Sequence, residues 1–258
     1  ILKKMLIALT VVFVVIVVAG IVVYQYSGSI AQNATERALE FVLQVDVSIG
    51  SMDIGFTDGT VEIQDLIVGN PEGFKTDSAF DFDTVFVKAD LQSFTSNQPT
   101  INEVTITGGH ITLEQGLGSS NLSKLVENAK EAAERVRGEE PSAEASKKIV
   151  VDKLVLNDGR VGVSSPILQG QKANFSLPKI ELKDIGKKGR AETVAGAIRL
   201  FIQTIITEVL KAGGGVIPED LTNVLGGTLE AVSGTGKEVT DQLKNVGESL
   251  GGMFKKKE

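Results

Sequence analysis

No cysteine occurs among the 258 residues. That excludes a disulfide framework and any thiolate-ligated metal centre. Tryptophan is absent too, and His110 is the one histidine, so a paired-histidine metal site is excluded. His110 follows a glycine pair on a polar stretch and reads as a solvated turn residue, not a general base. Basic residues are in deficit, 26 against 33 acidic, for a net charge of −7, which argues against nucleic acid as a partner. The "GTGK" at Gly234–Lys237 lacks the other positions of a phosphate loop, and no strand precedes it. No catalytic constellation and no cofactor is expected.

What the chain does have begins with an apolar run, "MLIALTVVFVVIVVAGIVV", from Met5 to Val23. Its length is close to the ~20 residues of a membrane-spanning helix. Lys3 and Lys4 precede it, and Tyr24 and Tyr26 follow it. This pattern predicts an uncleaved anchor with a cytoplasmic N-terminus and the bulk of the chain on the far side.

The second feature is a spacing of 50. Gly59, Gly109 and Gly159 each follow Asp58, Gly108 or Asp158, and each pair is flanked by alternating apolar residues. Asp-Gly and Gly-Gly are favoured in two-residue type I′ turns, so three β-hairpins are predicted. Numbering outward from the turns puts four residues of each hairpin on one apolar face: Ile54, Phe56, Val61 and Ile63; Val104, Ile106, Ile111 and Leu113; Leu154, Leu156, Val161 and Val163. Thr105, Thr107 and Thr112 fall on the polar face of the second.

Helical periodicity appears at Ser29–Leu43, at Ser120–Arg137 and at Ala191–Gly214. "TVFVKADL" (Thr84–Leu91) alternates as a strand, "GNPEGF" (Gly69–Phe74) is a loop, and Lys172–Gly186 holds further strands around Pro178. Gly213–Gly215 end the long helix and Pro218 opens another. Leu225, Leu229, Val232, Val239, Leu243, Val246 and Leu250 then follow a heptad spacing suited to packing on another helix. The predicted organisation is an anchor (1–28), a β domain (29–188) with a helical excursion at 120–148, and a helical C-terminal region (189–258).

"DGTVEIQDLIVGNPEGF" (Asp58–Phe74), "VFVKADLQSF" (Val85–Phe94), "INEVTITGGHITLEQG" (Ile101–Gly116) and the following "NLSKLVENA" resemble the AsmA-like proteins of Gram-negative bacteria. The resemblance covers roughly residues 1–186, and the chain is short for that family. It implies a bacterial inner-membrane signal anchor leading into a periplasmic domain of repeated strands. Long members form a trough with an apolar floor, thought to carry phospholipid. The fold expected is therefore a membrane-anchored α+β protein: one transmembrane helix, an antiparallel sheet or trough of repeated hairpins, and a helical C-terminal region.

The function expected is non-enzymatic. The twelve apolar hairpin residues either accommodate membrane lipid, with Ile106, Ile111, Leu156 and Val161 foremost, or pack on the C-terminal helices as a core. A second expectation is an oligomeric scaffold, or an accessory subunit of a larger membrane complex, joined through the heptad seam.

Overall fold

The computed structural model describes residues 28–96, 98–138, 149–166, 173–187 and 193–232. In chain order they form α1 (Gly28–Leu43), β1 (Val47–Gly55), β2 (Thr60–Gly69), β3 (Ser78–Asp90), a short 3-10 helix (Leu91–Thr95), β4 (Thr100–Glu114), α2 (Asn121–Gly138), β5 (Val150–Ser164), β6 (Ala173–Ser176), β7 (Ile180–Ile185), α3 (Val194–Ala212) and α4 (Glu219–Val232). The strands make one sheet in the order β1-β2-β3-β4-β5-β6. β7 shares the outer edge of β5 with β6.

The spacing of 50 has a different origin from the predicted one. β4 and β5 run straight through Gly108-Gly109 and Asp158-Gly159 without reversing. They lie side by side, parallel, with Thr100 opposite Val150, Ile106 opposite Leu156, Gly109 opposite Gly159 and Leu113 opposite Val163. Two neighbouring parallel strands in register meet the same environment at each level, so their sequences match at a constant offset. Parallel strands require a crossover connection, and α2 supplies it.

The first repeat is a hairpin, with its register moved by two. Ile54 faces Val61, and Met52 faces Ile63. The loop is Phe56–Gly59, closed by the Gly59 amide donating to the Gly55 carbonyl at 2.9 Å. The expected antiparallel sheet of three hairpins is thus corrected to a mixed sheet with one such hairpin.

The glycine signals mark a bulge line. A type I′ turn needs two successive residues at φ > 0. In the second and third pairs only the first residue is there, Gly108 at φ 61 and Asp158 at φ 56, with Asp65 at φ 53 on β2. The registers place Gly50, Asp65, Asp83, Gly108 and Asp158 side by side across five strands. On one side of this line the inward residues are Met52, Ile63, Val85, Ile106 and Leu156. On the other they are Ile49, Leu66, Phe82, Gly109 and Gly159. The inward positions therefore step by three across the line, where a regular strand steps by two. Every strand carries its extra residue at the same level, so the ladder stays in register while the facing is reset.

One face of the sheet is buried and the other is wet. α2 lies on the buried face with Leu122, Leu125, Val126, Ala129 and Ala132 at 0% exposure. These follow helical spacing, as the sequence predicts. Asn121 fixes this helix to β4. Its Oδ1 accepts the Glu114 and Leu122 amides, and its Nδ2 donates to Thr112 O and Asn70 Oδ1, all at 2.7–2.9 Å. The buried Glu114 carboxylate in turn accepts the Lys75 and Thr76 amides at 2.8 Å. α1 guards the free edge of β1, because Glu36 accepts the Ile49 amide (2.8 Å) and Gln32 donates to the Ile49 carbonyl (2.7 Å).

The expected single-pass placement in a bacterial inner membrane is also corrected. Among the described residues no helix is long and apolar enough to cross a membrane. The Met5–Val23 run lies outside the described residues.

The bulge line makes a stability prediction. Gly108→Ala puts a side chain at φ 61 and against the Asp83 carboxylate. It should lower the unfolding free energy by about 1–3 kcal/mol, the usual range for such backbone strain. Asp158→Gly, at φ 56 in an exposed position, should stay within about 0.5 kcal/mol of neutral. Urea midpoints at constant m-value distinguish the two.

Candidate functional site: an apolar cleft beneath the sheet

The inward side chains form rows that cross the strands. The first row reads Ile54, Val61, Val87, Val104 and Leu154. The second is Met52, Ile63, Val85, Ile106 and Leu156. Helices cover these rows unequally. Under the first row lies a cleft of about 270 Å³, walled by the sheet, α1 and the first half of α3.

Ile54, Val87 and Val104 are only partly buried although they point to the buried face, and they mark the open side of the cleft. Across from them α3 presents Val194, Ala197, Ile198, Phe201 and Ile202, which share one helical face. α1 contributes Leu39, Val42 and Leu43. Phe82 links the two walls: its ring stacks on Phe80 (centroids 5.5 Å) and meets Phe201 at 6.4 Å.

Among the described residues, Thr35 and Thr60 are the only polar side chains in the wall. Both hydroxyls are engaged, Thr35 donating to the Ala31 carbonyl (2.8 Å) and Thr60 to Asp58 Oδ1 (3.0 Å). Among the described residues the wall holds no ionisable group, so this lining can desolvate an apolar ligand and offers no charged partner to a head group. Among the described residues no group of three His, Cys, Asp or Glu side chains could hold a metal ion. The titratable groups with displaced pKa values sit away from the cleft. The Glu103 carboxyl is held low by hydrogen bonds from Lys153 and Thr105, and Lys187 is raised by Asp152 and Asp184.

Of the twelve apolar residues predicted from the sequence, seven line the cleft: Ile54, Phe56, Val61, Ile63, Val104, Ile106 and Leu154. The other five do not. Ile111, Leu113, Leu156, Val161 and Val163 are at most 1% exposed and belong to the core that also holds Leu122 and Leu125 of α2 and Ile205 and Val209 of α3. In the heptad set, Leu225 and Leu229 are fully buried within this same core. Val232 ends α4, and Val239, Leu243, Val246 and Leu250 lie outside the described residues.

Sequence reasoning missed the β3 wall. Val85, Val87, Ala89 and Leu91 all line the cleft, and their strict alternation was a sufficient signal. Phe80, Phe82 and Met52 were missed as well. His110 stands on the wet face of β4, exposed, between Asp81 and Arg160 of the neighbouring strands. It is not at a turn.

No protein-family model matches the chain, and no curated protein is significantly similar to it.

The split between core and cleft is measurable. Ile111→Ala removes a side chain at 0% exposure and should cost about 2–5 kcal/mol. Val104→Ala, at the half-open edge of an existing cleft, should cost less than half as much. Equal costs in chemical denaturation would mean that Val104 is packed as tightly as the core.

Proposed function

We propose that this protein binds lipid through an acyl chain held in the cleft, and that its role is non-enzymatic. The observation that carries this reading is the half-open apolar row Ile54, Val87 and Val104, set in a wall where no described residue carries an ionisable side chain. Covering the part of these side chains that is still exposed would stabilise the fold by about 25 cal/mol per Å². Leaving them uncovered is a cost that a ligand can offset. The resemblance of Asp58–Gly116 to AsmA-like sequences supports the same reading, since long members of that family offer an apolar floor to lipid.

A fluorescent polyene fatty acid titrated into the purified protein tests it. Emission should rise saturably on binding. Val104→Asp places a short charged side chain, unable to reach water along a long stem, at the edge of the cleft. It should weaken binding at least tenfold without changing the circular dichroism spectrum. Thr107→Asp, on the exposed face of the same strand, should bind as the parent does. Absence of saturable binding, or equal loss in both variants, would refute the proposal.

A further inference from the structure

We infer that the cleft is a blind pocket that takes one acyl chain at a time and leaves the head group outside; this rests on the preceding reading. A blind pocket differs from a conduit. In a conduit the apolar floor continues past the occupied section, so lipid can move along the sheet. Here the floor does continue in sequence, as Ile111, Leu113, Val161 and Val163, but helices bury those residues to 0–1% exposure. Phe82 stands at the boundary. Its ring edge lies where a side chain on Gly109 would have to go, 3.0 Å from an ideal Cβ there. On β2 and β3 the lining runs past the bulge line to Val68 and Phe80, level with Ile111, and stops there against Val42 and Leu43, all four 1–4% exposed. At the opposite end the lining residues Ala89, Ile101, Ile149 and Val151 are 0–7% exposed. Both directions of travel are closed.

The size agrees with a single chain. A cavity of about 150 Å³ lined by Leu, Ile and Phe accepts one benzene, six carbons. In proportion, 270 Å³ holds about eleven carbons. A two-chain membrane phospholipid carries several times that number. Among the described residues the wall offers no cation, no anion and no free hydroxyl, so nothing in this lining recognises a head group. Selection is by chain number and length, and the open side at Ile54, Val87 and Val104 is where the head emerges.

Chain-length series test this on the full chain. Straight-chain fatty acids and monoacyl phosphocholines from six to eighteen carbons are titrated below their micelle concentrations, and native mass spectrometry counts the bound molecules. One molecule should bind per protein. Affinity should rise about fourfold per methylene, the equivalent of ~0.8 kcal/mol per buried CH₂, and level off near eleven carbons. The two head groups should give the same break point and comparable affinity. Phe82→Leu opens space toward Gly109 and should move the break to longer chains; Ile106→Phe narrows the wall and should move it to shorter ones. Two bound chains, a steady gain up to eighteen carbons, or a head-group preference exceeding the chain-length effect would overturn the inference. So would tight 1:1 binding of a diacyl phospholipid with both chains shielded, which would leave the lipid-binding function standing. Absence of binding by every chain would remove both.

Discussion

A sheet with one apolar face must have that face covered, and the helices of this protein cover it unevenly. Over β4 and β5 beyond the bulge line, α2, the second half of α3 and α4 bring Leu122, Leu125, Ile205, Ile206, Leu221 and Leu225 down to 0% exposure. At the other end, among the described residues, only α1 and the first half of α3 line the cleft. The α3 stripe changes character along its length, from half-exposed Ala197 and Ile198 at its start to fully buried Ile205 and Val209 further on. The cleft is what remains where coverage stops. Water in such a space finds almost no polar partner, which is the condition for an apolar guest to displace it.

Two local devices hold that arrangement in place. The bulge line resets the facing of five strands at one level, so the apolar residues on both sides of it point to the same face of the sheet. Without it, regular alternation would carry Ile111 and Val161 to the wet face, because they stand five residues from Ile106 and Leu156. The second device is the buried network of Asn121, Glu114, Asn70 and Thr76. It spends all the hydrogen-bonding capacity of Asn121 on joining the start of α2 to β4, which fixes where the crossover helix lies. A half-satisfied amide in that position would cost more than an apolar residue.

The helices were legible from the sequence because their signals are local. The stripes at Ser29–Leu43, Ser120–Arg137 and Ala191–Gly214 became α1, α2 and α3 within a few residues of the expected ends. The β topology was not legible, for a specific reason. Asp-Gly and Gly-Gly report a need for positive φ, and turns and bulges share that need. Deciding between them requires knowing whether one residue or two adopts it, and whether a partner strand continues on the far side; neither is a property of the dipeptide. The exact offset of 50 was the unused clue. Three successive hairpins have no reason to keep a constant repeat through a helical excursion, whereas two parallel strands in register produce one directly. The site was partly legible, since facing was read correctly within each half-strand. What alternation cannot tell is which half a helix will cover.

The sequence left two alternatives for the apolar face, a floor for lipid or a core for helices, and the structure divides the same strands between an open apolar cleft and a packed core. β4 lines the cleft with Val104 and the buried Ile106, while Ile111 and Leu113 lie in the core away from it; β5 lines it with the buried Leu154, while Leu156, Val161 and Val163 lie in the core away from it. The change occurs beside Gly109 and Gly159, and there Gly109 matters in a second way. An inward Cβ at Gly109 would press to within 3.0 Å of the Phe82 ring, whereas one at Gly159 would meet Leu177 at an ordinary contact distance of 3.4 Å. Gly109 leaves room for the Phe82 ring, which lines the cleft at this boundary. The packed section then bears the folding stability, so the open section can leave apolar surface uncovered without endangering the fold. In a sheet of this size, closure at one end is the condition that lets the other end stay open.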